Sequence, residues 1–244
     1  MQTITPLMPA KSQAMGSDDT LIAFLPPLIG AILGVVIMLG VGVMLTGQAG
    51  GLAALGAALL SQHSAWYLSR SSAFAAYVLL WWSMILGLSI TSKAARAWPG
   101  GPAAADLHEH ASLLGLGFGA LHALTLMGDQ YIGYSLTQIL VPFTGSYMPL
   151  WVGLGQVSIY LMALVTVTFY LRRFIGRRAW RAIHLLSFLV FALTLGHGVF
   201  SGSDSGMLWA FWMYIGTGAS VLGMTLYRIL ASKPAVRVAR EQQA

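Results

Sequence analysis

The chain has 244 residues, of which 57% are hydrophobic and only 8% are charged, and its mean hydropathy is +0.74. This much apolar surface exceeds what one core can hide, so the composition excludes an ordinary soluble domain and favours an integral membrane protein. The net charge of +6 does not indicate nucleic-acid binding, because the basic residues lie in short segments between apolar stretches. Cysteine is absent, which excludes disulfides, thiolate metal sites and iron–sulfur clusters and leaves histidine as the strong metal ligand.

Six apolar stretches predict an all-α integral membrane protein built as a bundle of six transmembrane helices. About 20 residues at about 1.5 Å each cross a hydrocarbon layer of about 30 Å. The predicted spans are residues 21–45, 72–90, 107–127, 150–171, 180–200 and 207–230, which form one transmembrane domain over residues 21–231. The segment 51–60 is too short to span and is predicted to be interfacial or re-entrant. The polar segments 1–20 and 232–244 are predicted to be flexible cytoplasmic tails.

The basic residues predict the orientation of the bundle. They follow the second, fourth and sixth predicted spans or lie at the adjoining ends of the fifth (Arg181) and sixth (Arg228), whereas the connections 46–69, 128–149 and 201–206 contain neither Lys nor Arg. Cytoplasmic connections carry the excess of Lys and Arg, so both termini are expected in the cytoplasm. The residues concerned are Lys93, Arg96, Arg172, Arg173, Arg177, Arg178, Arg181, Arg228, Lys233, Arg237 and Arg240.

Four histidines lie inside predicted spans, His108 and His122 in the third, His184 and His197 in the fifth. Ionisable side chains are costly in a bilayer, and there they usually line a pathway or bind a ligand. The spacings of fourteen and thirteen residues correspond to about 21 Å and about 19.5 Å along a helix. Both spans enter the membrane from the same side, so the histidines are expected at matched heights.

The matched heights predict two haems between the third and fifth helices. His108 and His184 would hold one iron in the inner half of the membrane, and His122 and His197 would hold the other in the outer half. Two imidazole ligands on each iron leave no open position for oxygen, which favours electron transfer. A buried hydrogen-bonding role or a proton path is the alternative for these histidines.

The histidine spacing in the fifth span predicts an irregular helix. At about 100° per residue, fourteen residues return to within about 40° of the same face, but thirteen leave two side chains about 140° apart. A kink, a π-bulge or a loosened turn beside Gly196 and Gly198 would redirect His197. Three glycines of the third span lie between its histidines: Gly115, Gly117 and Gly119. They are interpreted either as space for a flat macrocycle or as close helix packing.

Two arginines are candidate partners for haem propionates, because Arg binds carboxylates bidentately. Arg70 lies at the outer end of the second predicted span, and Arg181 lies at the start of the fifth, beside Arg177 and Arg178. Placement among lipid headgroups is the alternative for these arginines. His110 is an alternative ligand to His108.

Several segments carry a resemblance to a known family. They are Tyr67-Leu68-Ser69-Arg70, His108 and His122 at a spacing of fourteen, Trp151-Val152-Gly153-Leu154-Gly155, Trp180-Arg181-Ala182-Ile183-His184, and His197-Gly198 before Gly202-Ser203-Asp204-Ser205. Through them, residues 66–230 resemble the ferric reductase-like transmembrane domain family, which includes the membrane parts of NADPH oxidases and the haem-binding subunit of the bacterial methionine sulfoxide reductase system. The resemblance implies two b-type haems between the third and fifth of six helices, in a bacterial cytoplasmic membrane. Glu109 departs from the family, since many members have a basic residue there.

The expected function is electron transfer across the membrane by the haem subunit of a multicomponent reductase. Complete reductases of this family carry a flavin- and nicotinamide-binding portion after the last span, where this chain has about a dozen residues. The expected partners are a separate electron donor, either a cytosolic flavoprotein or membrane quinol, an acceptor at the outer face, and membrane lipid. One alternative is a self-sufficient quinol-dependent reductase of ferric iron, oxygen or another small acceptor. A second is a non-redox proton or solute transporter that uses the intramembrane histidines.

Overall fold

The computed structural model describes residues 63–231, and side chains as far as residue 230. The first predicted span, the segment 51–60 and both predicted tails lie outside the described residues. Between residues 63 and 231 the chain is helical and contains no strand. The α-helices are α1 (Ser64–Thr91), α2 (Gly101–Thr125), α3 (Leu136–Leu140), α4 (Pro149–Tyr170), α5 (Arg172–Ile175), α6 (Arg177–His184), α7 (Ser187–Ser201) and α8 (Leu208–Ala231).

Four helical segments of the described chain are long and apolar enough to cross a membrane: Ser64–Thr91, Gly101–Gly128, Pro149–Tyr170 and Arg177–Ser201. They coincide with the second to fifth predicted spans and support the predicted membrane character. The sixth predicted span falls on α8, a helix of 24 residues that is not among these four. Its Trp209, Trp212 and Tyr214 belong to residue types that favour the membrane interface, and they lower the hydropathy of this helix.

The outer faces of the helices are rich in exposed apolar side chains. Leu164 and Val167 of α4 and Ile215 of α8 are each more than 40% exposed. A soluble monomer rarely exposes large apolar areas of this kind, whereas a lipid-facing surface requires them. The distribution of apolar residues therefore agrees with the composition in favouring a membrane environment.

Helix α1 begins at Ser64, eight residues before the predicted start of the second span. The polar residues that the sequence placed ahead of the span lie inside the helix and have partners in the bundle. Ser69 is buried and contacts His122 of α2, and Arg70 forms an ion pair with Asp204. Because these polar groups are satisfied across the bundle, they do not end the helix.

The irregularity predicted for the fifth span exists, but its predicted place is wrong. The helix is interrupted at Leu185 and Leu186, directly after His184, whereas Gly196 and Gly198 lie within α7 without a break. At the interruption the amide of Leu186 donates to the Ile183 carbonyl at 2.9 Å, a three-residue hydrogen bond. Such a turn advances about 20° more per residue than an α-helix, which moves the two histidines toward a common face.

Helix α1 packs along α2 and against α8, and α4 packs along α7. The main hydrophobic cluster lies between α1, α7 and α8 and comprises Tyr77, Leu80, Met84, Leu88, Val190, Phe191 and Val221. The hydroxyl of Tyr77 contacts Thr217, and the indole of Trp81 donates to Ser220 at 2.8 Å, so polar bonds also join α1 to α8. In contrast, α2 and α7 have few direct backbone contacts. The two histidine-bearing segments therefore face each other across a gap.

The three glycines between the histidines of α2 have different surroundings. A Cβ on Gly115 would lie 3.2 Å from the terminal methyl of Met162 and 3.6 Å from the Ala76 carbonyl, and one on Gly119 would lie 3.4 Å from Ile159. A Cβ on Gly117 would meet nothing within 4 Å. Gly115 and Gly119 thus serve helix packing, and both also line a cavity between the helices.

Candidate functional site

The structure brings the four intramembrane histidines together as two pairs. The rings of His108 and His184 have their centroids 6.0 Å apart with an interplanar angle of 78°. At the other end of the bundle, the rings of His122 and His197 have their centroids 6.1 Å apart at 61°. Each pair therefore joins α2 to the α6–α7 segment, with the same partners that matched heights predict.

The separation within each pair has the length that shared metal ligation requires. A metal–imidazole nitrogen bond is about 2 Å long, and a ring nitrogen lies about 1 Å from its ring centroid, so two rings on opposite sides of one metal have centroids about 6 Å apart. Both pairs have this separation. The ring spacing is therefore compatible with one shared metal atom per pair.

Serines of α1 orient both histidines of α2. The Nδ1–H of His122 donates to the Ser69 carbonyl at 2.9 Å, and that of His108 donates to the Ser83 carbonyl at 2.9 Å. The hydroxyls of the same two serines lie 2.9 Å and 3.0 Å from these nitrogens. A proton fixed on Nδ1 leaves the Nε2 lone pair for a metal, which is the usual arrangement of a metal-binding histidine.

Sequence reasoning missed both of these serines as partners. The signal was available, since Ser69 and Ser83 are fourteen residues apart, as are the two histidines of α2. Because α1 and α2 run antiparallel, two serines with this spacing can each face one of two histidines with the same spacing. Ser69 accordingly lies opposite His122, and Ser83 lies opposite His108.

His197 is held by α4 and by its own helix. Its Nδ1–H donates to the Trp151 carbonyl at 3.0 Å, and the Ser201 hydroxyl lies 3.0 Å from the same nitrogen. The ring lies directly against Gly155, where a Cβ would come within 2.6 Å of Nδ1. On α1, a Cβ at Gly87 would come within 3.2 Å of the His108 ring. These two glycines make room for the imidazoles, a role that the sequence analysis assigned to neither.

His184 differs from the other three histidines. Its Nδ1 is buried and has no hydrogen-bond partner among the described residues, and the same is true of Nε1 of Trp180, one turn earlier. The two rings are neighbours, with centroids 5.3 Å apart. His184 is the last residue of α6.

A cavity of about 600 Å³ adjoins the His122–His197 pair. This volume lies within the range of about 300–1,000 Å³ found for ligand and cofactor sites. Its walls near the two rings include small residues, Gly119, Ala123 and Gly155, which leave space for a flat ligand close to the backbone.

The histidine donor set limits the kind of metal that could bind here. Among residues 63–231, no group of three or more His, Cys, Asp or Glu side chains converges, so the histidines meet only in twos. A bare metal ion usually needs three or four protein ligands. Two imidazoles alone are compatible with a metal whose remaining ligands belong to a cofactor such as haem.

Arg70, a predicted propionate partner, lines the same cavity and forms an ion pair with the buried Asp204. Its guanidinium also lies 4.6 Å from the centroid of the Trp66 ring. One carboxylate oxygen of Asp204 and one of Asp129 are buried without a hydrogen-bond partner in the described chain, and both residues line the cavity. This end of the bundle therefore combines one cationic and two carboxylate groups beside the histidine pair.

The remaining candidate residues lie away from the ring pairs. Arg181 is exposed on α6, one turn before His184. His110 is exposed and its Nδ1–H donates to the Asp106 carbonyl at 2.7 Å, so it does not join His108 in a pair. The carboxylate of Glu109 accepts a hydrogen bond from the Tyr170 hydroxyl at 2.8 Å, which joins α2 to the end of α4.

Comparison of this chain with protein-family models, with curated proteins and with solved structures finds no match.

Proposed function

We propose that this protein is a transmembrane di-haem b-type cytochrome that carries electrons across the membrane as the haem subunit of a multicomponent reductase similar to ferric reductase-like proteins. The observation that carries the proposal is the ring spacing of 6.0 Å and 6.1 Å in two histidine pairs at opposite ends of the bundle. Two b-type haems, one per pair, would supply one-electron redox chemistry at each end.

The protein's own residues have defined roles in this proposal. His108 and His184 hold one iron, and His122 and His197 hold the other. The carbonyls of Ser69, Ser83 and Trp151 keep three of these rings in the Nδ1–H tautomer and raise the basicity of Nε2. With two imidazoles on each metal, few positions would remain for other ligands, which would favour electron transfer.

The charge distribution supports one orientation of the bundle across the membrane. Arg172, Arg173, Arg177, Arg178 and Arg181 of α5 and α6 are all exposed at the His108–His184 end. By the preference of basic residues for the cytoplasmic side, this end faces the cytoplasm and both termini are cytoplasmic in a six-span bacterial membrane protein. Electrons then enter here from a separate donor, a cytosolic flavoprotein or membrane quinol, and leave at the His122–His197 end toward an outer acceptor.

A second candidate function is a self-sufficient quinol-dependent reductase of ferric iron, oxygen or another small acceptor. The observation that favours it is the cavity beside His122, which is large enough for a small molecule. Two carboxylates line it, Asp129 and Asp204, each with a buried oxygen that lacks a hydrogen-bond partner in the described chain. In this version, no partner subunit is needed for turnover.

The reduced-minus-oxidised absorption spectrum of the purified full-length protein tests the proposal. Two bis-imidazole haems give sharp visible bands, whereas a proton or solute transporter built on the same histidines gives none. The His122→Ala and His110→Ala variants form a matched pair on α2, since only the first removes a proposed ligand. Loss of band intensity is expected for His122→Ala alone, and equal spectra for both variants would contradict the assignment. If the isolated protein oxidises quinol and reduces an acceptor without any partner subunit, the second candidate is favoured.

A further inference from the structure

Five arginines form a basic cluster where α4 leads through α5 into α6. They lie within ten residues, and the sequence contains no Asp or Glu between Asp129 and Asp204. All five are exposed: Arg172, Arg173, Arg177, Arg178 and Arg181. The carboxylate of Glu109, which is bonded to Tyr170 at the end of α4, lies at the same end of the bundle. One carboxylate beside five guanidinium groups leaves a large excess of positive charge on this surface.

The lengths of the neighbouring helices place the basic cluster at the membrane surface. About 20 helical residues cross a hydrocarbon layer of about 30 Å. The candidate span Pro149–Tyr170 has 22 residues, so Arg172 and Arg173 follow directly after it. The candidate span Arg177–Ser201 has 25 residues, so about five at its start, which include the other three arginines, extend beyond the hydrocarbon. The guanidinium groups are therefore at the depth of the lipid phosphates.

Exposed apolar side chains lie among these arginines. Leu171 is 42% exposed, Phe174 is 72% exposed and Ile175 is 37% exposed. A surface that combines arginines with exposed aromatic and aliphatic side chains is typical of segments in the membrane interface, where the apolar groups contact acyl chains. The acidic face of a protein partner would match the charges but not these side chains. The combination therefore favours lipid over an acidic protein as the ligand of this surface.

Aromatic rings hold two of the guanidinium groups in place. That of Arg172 lies 4.0 Å from the centroid of the Phe169 ring, and that of Arg173 lies 4.6 Å from the centroid of the Phe174 ring. Arg172 also donates from Nη1 to the Phe169 carbonyl at 2.7 Å. A guanidinium group has five N–H donors, so this bond leaves others for a ligand. Because these two side chains are already ordered, they lose less conformational freedom when they bind a phosphate.

We propose that the basic cluster, together with Leu171, Phe174 and Ile175, binds an anionic phospholipid of the adjoining membrane leaflet. The guanidinium groups bind the phosphate through charge-assisted hydrogen bonds, and the three apolar side chains contact the acyl chains. An anionic headgroup is preferred to a zwitterionic one, because the latter brings its own positive charge to a surface that is already cationic. Arg181 thereby belongs to a lipid site. None of the four paired histidines takes part, so the lipid site is independent of the proposed haems.

Titration of phosphatidylglycerol into the full-length protein in neutral detergent, followed by native mass spectrometry, tests this proposal. The wild-type protein is expected to bind phosphatidylglycerol roughly tenfold more tightly, or better, than phosphatidylcholine with the same acyl chains, since each arginine near a lipid surface contributes about fivefold in affinity for anionic lipid. Equal affinities for the two lipids would overturn the proposal. The soluble headgroup glycerophosphoglycerol is expected to bind much more weakly, because it lacks acyl chains. Binding of this headgroup as tight as that of the lipid would also contradict the proposal.

Two matched double variants separate a defined site from general attraction to a basic surface. Arg177→Gln with Arg178→Gln removes two charges from the basic cluster and is expected to lower the affinity for phosphatidylglycerol about 25-fold, about fivefold for each arginine. Lys93→Gln with Arg96→Gln removes two exposed charges from the connection between α1 and α2, at the same end of the bundle, and should leave this affinity unchanged. Equal losses in both double variants would indicate diffuse attraction and overturn the proposal.

A variant that keeps every arginine tests the apolar part of the site. Phe174→Ser is expected to weaken the binding of phosphatidylglycerol, because a side chain that is 72% exposed no longer contacts the acyl chains. An unchanged affinity in this variant would contradict the proposal. An oligoglutamate peptide is the probe for an acidic protein partner. If it binds the wild-type protein more tightly than phosphatidylglycerol does, the surface belongs to such a partner and the lipid assignment is wrong.

Discussion

Substitution of Gly155 by alanine tests whether the close approach of α4 seats the His197 ring. An alanine Cβ would lie 2.6 Å from Nδ1 and 2.7 Å from Cγ of His197, whereas ordinary contacts are about 3.5 Å or longer, so one group must move by about 1 Å. Movement of the ring would disrupt the hydrogen bond from its Nδ1–H to the Trp151 carbonyl, which is 3.0 Å long. The substitution therefore acts on the ring that we propose as a ligand.

The expected magnitude follows from these contacts. An added methyl group in a packed interior destabilises a protein by about 1–3 kcal/mol. Displacing the ring from its carbonyl lowers affinity for the metal about 10–100-fold. We expect Gly155→Ala to lower the Tm in detergent and to reduce haem from two toward one per chain, with loss of the haem at the His122–His197 pair.

Gly117→Ala is the matched control, since a Cβ there meets nothing within 4 Å. Replacing an unconstrained helical glycine by alanine stabilises a helix by about 0.5–1 kcal/mol. This control should keep both haems and a Tm at or above that of wild type. If Gly155→Ala and Gly117→Ala have the same haem content and the same Tm, the reasoning about His197 is wrong.

Three further outcomes follow from the structure. Asp204→Asn should lower stability by about 1–3 kcal/mol, because the Arg70 guanidinium loses the charge of its buried partner. Burial raises the pKa of Tyr134, and its hydrogen bond to the Tyr147 carbonyl offsets part of this rise in pKa. In the unfolded chain this tyrosine ionises at a lower pH than in the folded protein. The stability of the wild-type protein should therefore fall as pH rises above about 10, and the stability of Tyr134→Phe should fall less over the same range. His122→Ala should lose the haem proposed for the His122–His197 pair, whereas the haem proposed for the His108–His184 pair should remain partly bound.

Each of these outcomes has a control and a contradicting result. Asp106→Asn changes an exposed carboxylate of α2 and should leave the Tm unchanged; an equal effect of both Asp variants would contradict the role of the ion pair. Tyr131→Phe removes a phenol that is 87% exposed and should retain the wild-type dependence on pH. If Tyr134→Phe also retains it, the burial argument fails. For His122→Ala, unchanged content of both haems would refute the pairing.

The sequence was informative where a pattern repeats along the chain. Apolar stretches predicted the four long helices that the structure describes, because segments of about 20 apolar residues have few other stable forms in a bilayer. The histidine spacings placed His108 opposite His184 and His122 opposite His197, since rise per residue fixes height in parallel helices. These features depend on local geometry alone.

Predictions from the sequence were wrong where a helix boundary depends on partners across the bundle. Helix α1 starts at Ser64 because Ser69 and Arg70 find partners on other elements, which hydropathy along one chain does not report. The helix interruption lies at Leu185, where nothing in the local sequence marks it, and not beside the glycines of α7. Glycine permits a kink, but tertiary packing decides whether one forms.

The orientation of the histidine rings was likewise beyond the sequence. Gly87 and Gly155 are important because each is the point at which a neighbouring helix meets a ring. Such a contact requires the relative rotation of two helices, which composition does not determine. Nδ1 of His184 is a similar case: it has no hydrogen-bond partner among residues 63–231, a feature that depends on how the described helices pack around it.

The most direct test of the central claim is the number of b-type haems per polypeptide in the purified full-length protein, measured by haem extraction against quantitative amino-acid analysis. The expected value is two, one for His108 with His184 and one for His122 with His197. A value of one would mean that one pair holds no iron, and a value of zero would contradict the assignment of both pairs.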